Sequence, residues 1–506
     1  MRRAAAGVVI ALVVLKLALV FGANTLTPYG PHRDELLYLA MGRHLDLWRM
    51  DFPPAIALVA EASRAAFGDW LAGIRFVPAV LGAVLVALAA LLARELGGGR
   101  FAQGLAALCV VANVLFLRSS VLFQPVVLDQ VAWALGTYAL VLLSKREEPR
   151  WWLFLGAAVG LGLLSKFSIG VFGAAAAAGV LLSPLRRGLL SPWPWLAVLV
   201  ALAIGSPSLV GQFRLDWPLL SQMADLRQEQ LGRVTPADFG LSQLLLGPTT
   251  LVALAGLGGL LVARVLEPFR AVGWMALAAW ALLVGLNGKA YYYGGMYPVL
   301  YAAGAVVLGR QNAPVAAPVL RWATVLLVVL WGAAMLPLGL PVLPPDRMSA
   351  YVNRIGLTRP LRTNTGEYER LPQDYADMLG WAQQVQAIAR VYDSLPPDER
   401  ADAVLLAGNY GEAGAIDFYG PRYRLPGAVS PVGSYWFFGP GEKPGNIVIA
   451  IGVTRDAALG YFAEATQVAT VGHPYAVAEE RNVPIVVAKH PTRTLQQIWP
   501  ELGGRH

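Results

Sequence analysis

One cysteine in 506 residues, Cys109, leaves this chain without an intramolecular disulfide and without a cysteine-based metal site. Cys109 lies inside an apolar run, where a thiol packs as a small hydrophobe. Histidine is nearly as scarce, at five. Charge is scarce as well: Asp, Glu, Lys and Arg make up 14% of the chain, 56% is hydrophobic, and the mean hydropathy is +0.53. Soluble domains carry about 25% charged residues, so an ordinary water-soluble protein is excluded. No internal repeat is visible, and low complexity is confined to Ala/Leu-rich stretches. Gly97-Gly98-Gly99 is not a phosphate-cradling loop, because no strand precedes it and no Lys-Ser/Thr follows.

What is abundant is apolar length. Ala5–Phe21, Leu81–Ala93, Leu196–Val210 and Ala323–Leu340 approach or reach the roughly 20 residues that cross a bilayer. The chain reads as a polytopic α-helical membrane protein. About eleven candidate spans cover roughly 5–23, 74–94, 102–118, 126–144, 151–165, 168–183, 194–211, 244–263, 271–287, 294–309 and 320–340. The start Met1-Arg2-Arg3 resembles a signal peptide but lacks a clear cleavage site, so it reads as a retained first helix.

The net charge of +8 follows from topology rather than from nucleic-acid binding. Arg2 and Arg3, Arg94 and Arg100, Lys145, Arg146 and Arg150, Arg186 and Arg187, Arg264 and Arg270, and Arg310 and Arg321 fall in alternate short loops. Lys and Arg collect on the cytoplasmic side, which places the N-terminus there. Four segments then face outward: the loop at about 24–73, the turn at about 118–126, the loop at about 212–243, and everything beyond about 340. Trp151, Trp152 and Trp193 read as interface-belt residues.

The first outer loop concentrates chemistry. His32-Arg33-Asp34-Glu35-Leu36-Leu37-Tyr38-Leu39-Ala40, with Asp51-Phe52-Pro53-Pro54, puts acidic and basic groups directly after the first span. Asp34–His44 and Pro54–Phe67 read as amphipathic helices lying in the interface plane. Asp34 and Glu35 then sit near a helix N-terminus, whose dipole favours anions. An ordinary solvated loop is the plain alternative. Beyond Pro341 the composition changes, and Pro344-Pro345 forms a linker. Val404–Ala407, Ile447–Ile451, Val468–Val471 and Pro484–Ala488 read as buried strands, and Tyr375–Leu395 has helical periodicity. The expected organisation is a transmembrane catalytic domain over 1–340, with outer loop 24–73, and an extracytoplasmic α/β domain over 341–506.

These segments resemble, in order, the bacterial protein-mannosyltransferase-like membrane glycosyltransferases of family 39, which include aminoarabinose transferases. The resemblance rests on Arg33–Ala40 with Asp51–Pro54, Phe123-Gln124-Pro125 with Asp129-Gln130 and Trp133, Gly160–Ser168, Gly288–Tyr293, Asn409–Ala415 and Tyr419-Gly420. It implies the C-type glycosyltransferase fold, a sugar donor on a polyprenyl phosphate, and an acceptor on a lipid, glycan or protein at the outer face of the plasma membrane. It implies Asp34 as catalytic base and Asp129 as a second carboxylate of the same cavity. Lys289, Tyr292 and Tyr293 would contact the lipid phosphate, and Arg33, Glu35 and Asp51 would bind substrate. A poor hydroxyl nucleophile needs a positioned carboxylate to take its proton. Direct displacement inverts the anomeric centre, and a departing phosphate needs cationic or phenolic donors.

Each assignment has a structural alternative. Asp34 and Asp129 can cap helices, Glu35 can bind the loop backbone, Asp51 can shape a turn, Lys289 can snorkel, and Lys166 can anchor topology. Two departures from the family matter. Phe52 stands where several relatives have Lys or His near the donor phosphate, so neutralisation falls to Arg33, His32 or Lys289. The 212–243 loop contains no His, which argues against the metal site some relatives build there. No cofactor is assigned; a divalent cation on Asp34 or Asp51 stays open, since hard cations accept carboxylates and water. The alternative class is a transporter or flippase of lipid-linked sugars, for which intramembrane charges, broken helices and inverted repeats would speak. The charge pattern generates a first test. Reporter fusions after Arg187, Arg264 and Arg310 should report cytoplasm, and those near Gln228 and after Pro345 the outer side. An outward signal at Arg264 would sink this topology.

Overall fold

A computed structural model describes residues 5–146, 148–310, 315–357 and 359–503, so Arg2 and Arg3 of the topology reading lie outside the described residues. The chain opens with α1 (Ala6–Leu26), 21 residues interrupted by one cation, Lys16. Lys16 is fully buried, and its ammonium donates to the carbonyl of Phe116 at 2.8 Å. The outer loop supplies α2 (Arg33–Arg43), α3 (Ala55–Phe67) and the short α4 (Leu71–Ile74), where the sequence places its two amphipathic helices.

Then follow α5 (Phe76–Glu95), α6 (Arg100–Ala112), α7 (Val114–Val121), α8 (Pro125–Arg146), α9 (Arg150–Ser165), α10 (Ile169–Leu181) and α11 (Trp193–Arg214). Next come α12 (Pro218–Glu229), α13 (Pro236–Leu244), α14 (Pro248–Val262), α15 (Arg270–Gly285), α16 (Tyr297–Gly309) and α17 (Ala316–Gly339).

Length and apolarity alone qualify six helical segments among the described residues as membrane spans, or up to nine if three bent pairs each count once. This differs from a plain count of eleven, for physical reasons. The expected 102–118 span breaks by 61° between α6 and α7. Asn113 sits there in an extended conformation, its carbonyl oxygen capping Leu115 N at 2.8 Å and its amide bonding Tyr301 and Thr249 at 2.7 and 3.0 Å. One freed backbone N–H is thereby capped, and the buried side-chain amide is satisfied inside the bundle, as an apolar surround demands. Helix α9, at 16 residues, reaches about 24 Å, short of the roughly 30 Å hydrocarbon core.

Small residues let the helices approach. A Cβ added at Gly256 of α14 would come within 1.9 Å of the Leu300 carbonyl, and one at Gly304 of α16 within 1.9 Å of the Val252 carbonyl. Backbone therefore meets backbone at that crossing, the packing that dispersion favours where hydrophobic contrast is missing. At one end of the bundle Glu95 gathers Arg94, Lys145 and Arg146 at 3.2, 2.9 and 3.6 Å, and Arg310 reaches the Gly97 carbonyl at 3.4 Å. Basic residues from separate loops thus share one end.

From α18 (Pro345–Ile355) onward the chain builds an α/β unit with α19 (Gln373–Ala376), α20 (Trp381–Ser394), α21 (Pro397–Asp402) and α22 (Tyr410–Tyr419). Its strands are β1 (Val404–Ala407), β2 (Ala428–Val429), β3 (Ile447–Ile451), β4 (Phe462–Val471) and β5 (Val483–Pro491). The sheet order is β2-β1-β3-β5-β4, parallel at β1/β2 and β1/β3 and antiparallel at β3/β5 and β5/β4. β1 and β3 lie where the sequence puts them; β4 and β5 run longer, and the two-residue β2 is too short to carry a pattern.

Alternation assigns the two faces. Val404, Val448, Val486 and Ala488 pack under Trp499 and Ile498. Leu405, Ile449 and Ile485 turn the other way and share one core with Leu36, Leu39, Ile56, Ala57 and Phe123. The outer loop and the C-terminal unit are therefore one packed body.

Candidate active site

The N-terminus of α2 is fixed by a capping box. His32 Nδ1 accepts from Asp34 N at 3.1 Å, and Glu35 Oε2 accepts from His32 N at 2.7 Å. The other ring nitrogen, Nε2, lies 3.8 Å from Asp374 Oδ1 and 3.7 Å from Asp377 Oδ2. Burial pushes the Asp377 carboxyl up to about 7, whereas Arg118 and His32 overcome burial at Asp374 and hold it well below the usual range.

Asp34 projects from the first turn of α2 with its side chain 33% exposed. Its Oδ1 accepts from the Tyr410 hydroxyl and its Oδ2 from Gln124 Nε2, both at 3.1 Å. One donor comes from the C-terminal unit and the other from the link between α7 and α8.

Facing this carboxylate is a cationic and phenolic cluster. Lys166, at the break between α9 and α10, sets its ammonium 5.0 and 4.4 Å from the ring centres of Tyr291 and Tyr292. Lys289 donates to Gln230 Oε1 at 2.7 Å, and burial lowers its hold on its proton. Asp34 lies within electrostatic reach of Lys289, Tyr291 and Tyr38, and Tyr292 within reach of Lys166, Lys289 and Asp129. Asp129 sits in the first turns of α8, buried, with Oδ2 accepting from Ser168 at 2.9 Å and no hydrogen-bond partner on Oδ1. The structure thus brings Asp34, Asp129, Lys289 and Tyr292 to one region.

Other sequence candidates fall elsewhere. Glu35 is fully buried and saturated: Arg75 binds it through Nε and Nη2 at 2.8 and 2.7 Å, and Phe123 N donates at 2.5 Å. Its role is to hold the loop backbone, the structural alternative. Tyr293 is also buried, donating to the Ala276 carbonyl at 3.1 Å, so it packs rather than contacts a ligand. Asp51 accepts from the Ser434 hydroxyl at 2.8 Å, and Arg33 pairs with Glu479 at 3.1 Å. Both dock the C-terminal unit. Phe52 leans on Tyr38, ring centres 5.9 Å apart. Among the described residues no group of three or more His, Cys, Asp and Glu side chains is arranged to hold a metal ion.

Comparison with known proteins bears on the architecture. Residues 51–210 match the model of the dolichyl-phosphate-mannose-protein mannosyltransferase family. The chain superposes on ArnT from Cupriavidus metallidurans bound to undecaprenyl phosphate with a TM-score of 0.60 at 16% identity, covering 96% of this chain and 98% of that one. The apo state of the same protein gives the same values. The apo Archaeoglobus fulgidus oligosaccharyltransferase matches with a TM-score of 0.51 at 13% identity, over 84% of this chain and 64% of that one. No curated protein sequence matches. The chain has the C-type glycosyltransferase fold.

Within this C-type fold, sequence reasoning left four residues without a role that the geometry supplies. Gln124 and Tyr410 lie inside resembling motifs but carry no assigned function there, and both bind Asp34. Lys166, for which the sequence offered only a topology-anchoring role, sets its ammonium over the Tyr292 ring. Arg75 carries a sequence signal: it is a cation directly before the apolar helix α5, where a charge needs a partner. Breaking a buried pair by removing one partner costs about 3–5 kcal/mol. Arg75→Leu and Glu35→Gln should each lower thermal stability sharply in detergent, and Arg75→Leu combined with Glu35→Leu should recover part of it. Single variants as stable as the parent would contradict this reading of the pair.

Proposed function

We propose that this chain transfers a sugar from a polyprenyl-phosphate carrier to an acceptor hydroxyl at the outer face of the plasma membrane, with inversion. The observation that carries this reading is the pairing of a fixed, partly exposed carboxylate with a cationic and phenolic cluster: Asp34 on one side, Lys166, Lys289, Tyr291 and Tyr292 on the other. Support comes from the resemblance of the motifs, from the mannosyltransferase family match over residues 51–210, and from the shared fold with an undecaprenyl-phosphate-bound protein. The N-terminus would face the cytoplasm, and residues from about 341 would form the outer domain.

In this mechanism the Asp34 carboxylate takes the proton of the acceptor hydroxyl as its oxygen attacks the anomeric carbon. The bond from that carbon to the phosphate oxygen breaks, and polyprenyl phosphate leaves with the electron pair. Lys166, Lys289 and the Tyr292 hydroxyl meet the growing negative charge, and a dry setting strengthens those contacts. Asp129 lies within electrostatic reach of Lys166 and accepts from the Ser168 hydroxyl at 2.9 Å. The acceptor is a lipid, glycan or protein hydroxyl.

Broken helices would also suit a transporter. The bends of 103° and 111° arise at Pro184–Leu190 and Pro236–Leu244, a turn carrying Arg186 and Arg187 and a Pro-led helix, both at span ends. At the third break Asn113 and Lys16 are buried and satisfied by the bundle. Each break is accounted for by a turn, a Pro-led helix or a satisfied polar side chain.

A strain lacking the gene should accumulate one polyprenyl-phosphate sugar and make an envelope glycan or glycoconjugate short of that residue. Restoring Asp34→Asn should leave the defect in place, with turnover lowered by about 10²–10⁴ and undecaprenyl phosphate binding retained. Lys166→Met and Lys289→Ala should instead weaken undecaprenyl phosphate binding. Unchanged lipids in the deletion strain would refute the transfer reading.

A further inference from the structure

We propose that Tyr410 of the C-terminal α/β unit is a positioning residue of the catalytic centre, fixing the plane of the Asp34 carboxylate through a face of α22 pressed directly on α2. The inference rests on the reading of Asp34 as the base.

The contact is built at close range. A Cβ at Gly414 would lie 2.7 Å from Leu36 Cβ, and one at Gly411 would lie 2.7 Å from Arg33 Cγ and 2.9 Å from the Trp381 ring. Helix α22 therefore meets α2 through glycines three residues apart, which share one face. This closeness lets the first residue of α22 reach over the start of α2. The Tyr410 hydroxyl donates to Asp34 Oδ1 at 3.1 Å, and the Arg33 guanidinium lies 4.9 Å over the Tyr410 ring.

The start of α22 is itself anchored. Asn409 Oδ1 accepts from Gly411 N and Glu412 N at 2.8 and 3.0 Å, and Glu412 Oε2 accepts from Gly408 N and Asn409 N at 2.9 and 3.1 Å. Asn409 Nδ2 also donates to Glu480 Oε1 at 3.0 Å, and Gln384 Nε2 to Glu480 Oε2 at 2.7 Å. Two backbone anchors and a stacked cation thus aim one hydroxyl.

Gln124 holds the second oxygen of Asp34 from the membrane half at 3.1 Å. Each carboxylate oxygen keeps a further lone pair for an incoming hydroxyl, and two donors on different elements prevent the group from rotating away. A base misplaced by even 1 Å loses rate without losing substrate affinity. The C-terminal unit then completes the catalytic centre, beyond any part in gripping the acceptor.

The test uses the full-length protein in membranes, with the polyprenyl-phosphate lipid extracted from the deletion strain as donor and undecaprenyl phosphate as the binding probe. Tyr410→Phe keeps the ring and removes the hydroxyl. It should lower kcat about threefold to tenfold, the value of one hydrogen bond, while the donor KM, undecaprenyl phosphate affinity and melting temperature stay unchanged. Gly414→Ala should also lower kcat, and adding Tyr410→Phe to it should cost little more, because both break one contact. An unchanged kcat in Tyr410→Phe, a parallel loss of KM and stability, or fully additive effects would each overturn the inference. Full activity in Asp34→Asn would instead remove the base reading itself; an inactive Asp34→Asn beside a fully active Tyr410→Phe would remove only the role of Tyr410.

Discussion

The buried ion pair between Glu35 and Arg75 is the constraint on which the acidic loop and the C-terminal unit packed on it depend. Both side chains are excluded from water. Charges in such a place are tolerated only when every acceptor and donor is matched. Glu35 therefore takes hydrogen bonds from His32 N, Phe123 N and Arg75, and Arg75 spends its remaining donors on Asn24 Oδ1 and the Gly30 carbonyl at 3.4 and 3.3 Å. One pair ties the end of α1, the start of α2, the start of α5 and the link before α8 to a common point. The Asp34 carboxylate, one residue before Glu35, inherits its position from that knot.

The C-terminal unit is joined to the same point by packing rather than by a tether. Leu405, Ile449 and Ile485 from the sheet and Trp381 and Ile416 from its helices enter one core with Leu36, Leu39 and Phe123 of the outer loop and its neighbour. Around this core, polar contacts set the register: Arg33 to Glu479, Asp51 to Ser434, and Arg43 Nη1 to the Asp417 carbonyl at 2.8 Å. An apolar core sets closeness without direction, whereas directed hydrogen bonds choose one arrangement among many close ones. The loop's charged residues thus differ in their surroundings: the Asp34 side chain stays partly exposed, whereas Arg33, Glu35 and Asp51 hold the frame.

Much of this was legible along the chain. Apolar length and the one-sided spread of Lys and Arg indicated a multi-span helical protein, and short continuous apolar runs located β1 and β3. The ordered motifs led to a fold shared with ArnT from Cupriavidus metallidurans. The number of spans was less legible, because Asn113 breaks a continuous apolar run, its side-chain oxygen capping Leu115 N while its side-chain amide donates to Thr249 of α14 and Tyr301 of α16. Pattern reading counts apolar residues and does not see where a side chain replaces a helix hydrogen bond.

The contrast in the acidic loop between a partly exposed carboxylate and a buried, fully paired one comes from contacts distant in sequence. Asp34 and Glu35 are neighbours of similar chemistry, so no local rule separates them. Glu35 meets Arg75, 40 positions away, and Asp34 meets Tyr410, 376 positions away. By itself the sequence determined where charge could exist in an apolar chain, since each buried charge must have a reason to be there. Only the tertiary structure decided which of those charges are matched by partners and which remain open to a ligand, because matching depends on side chains that folding alone brings within hydrogen-bond reach.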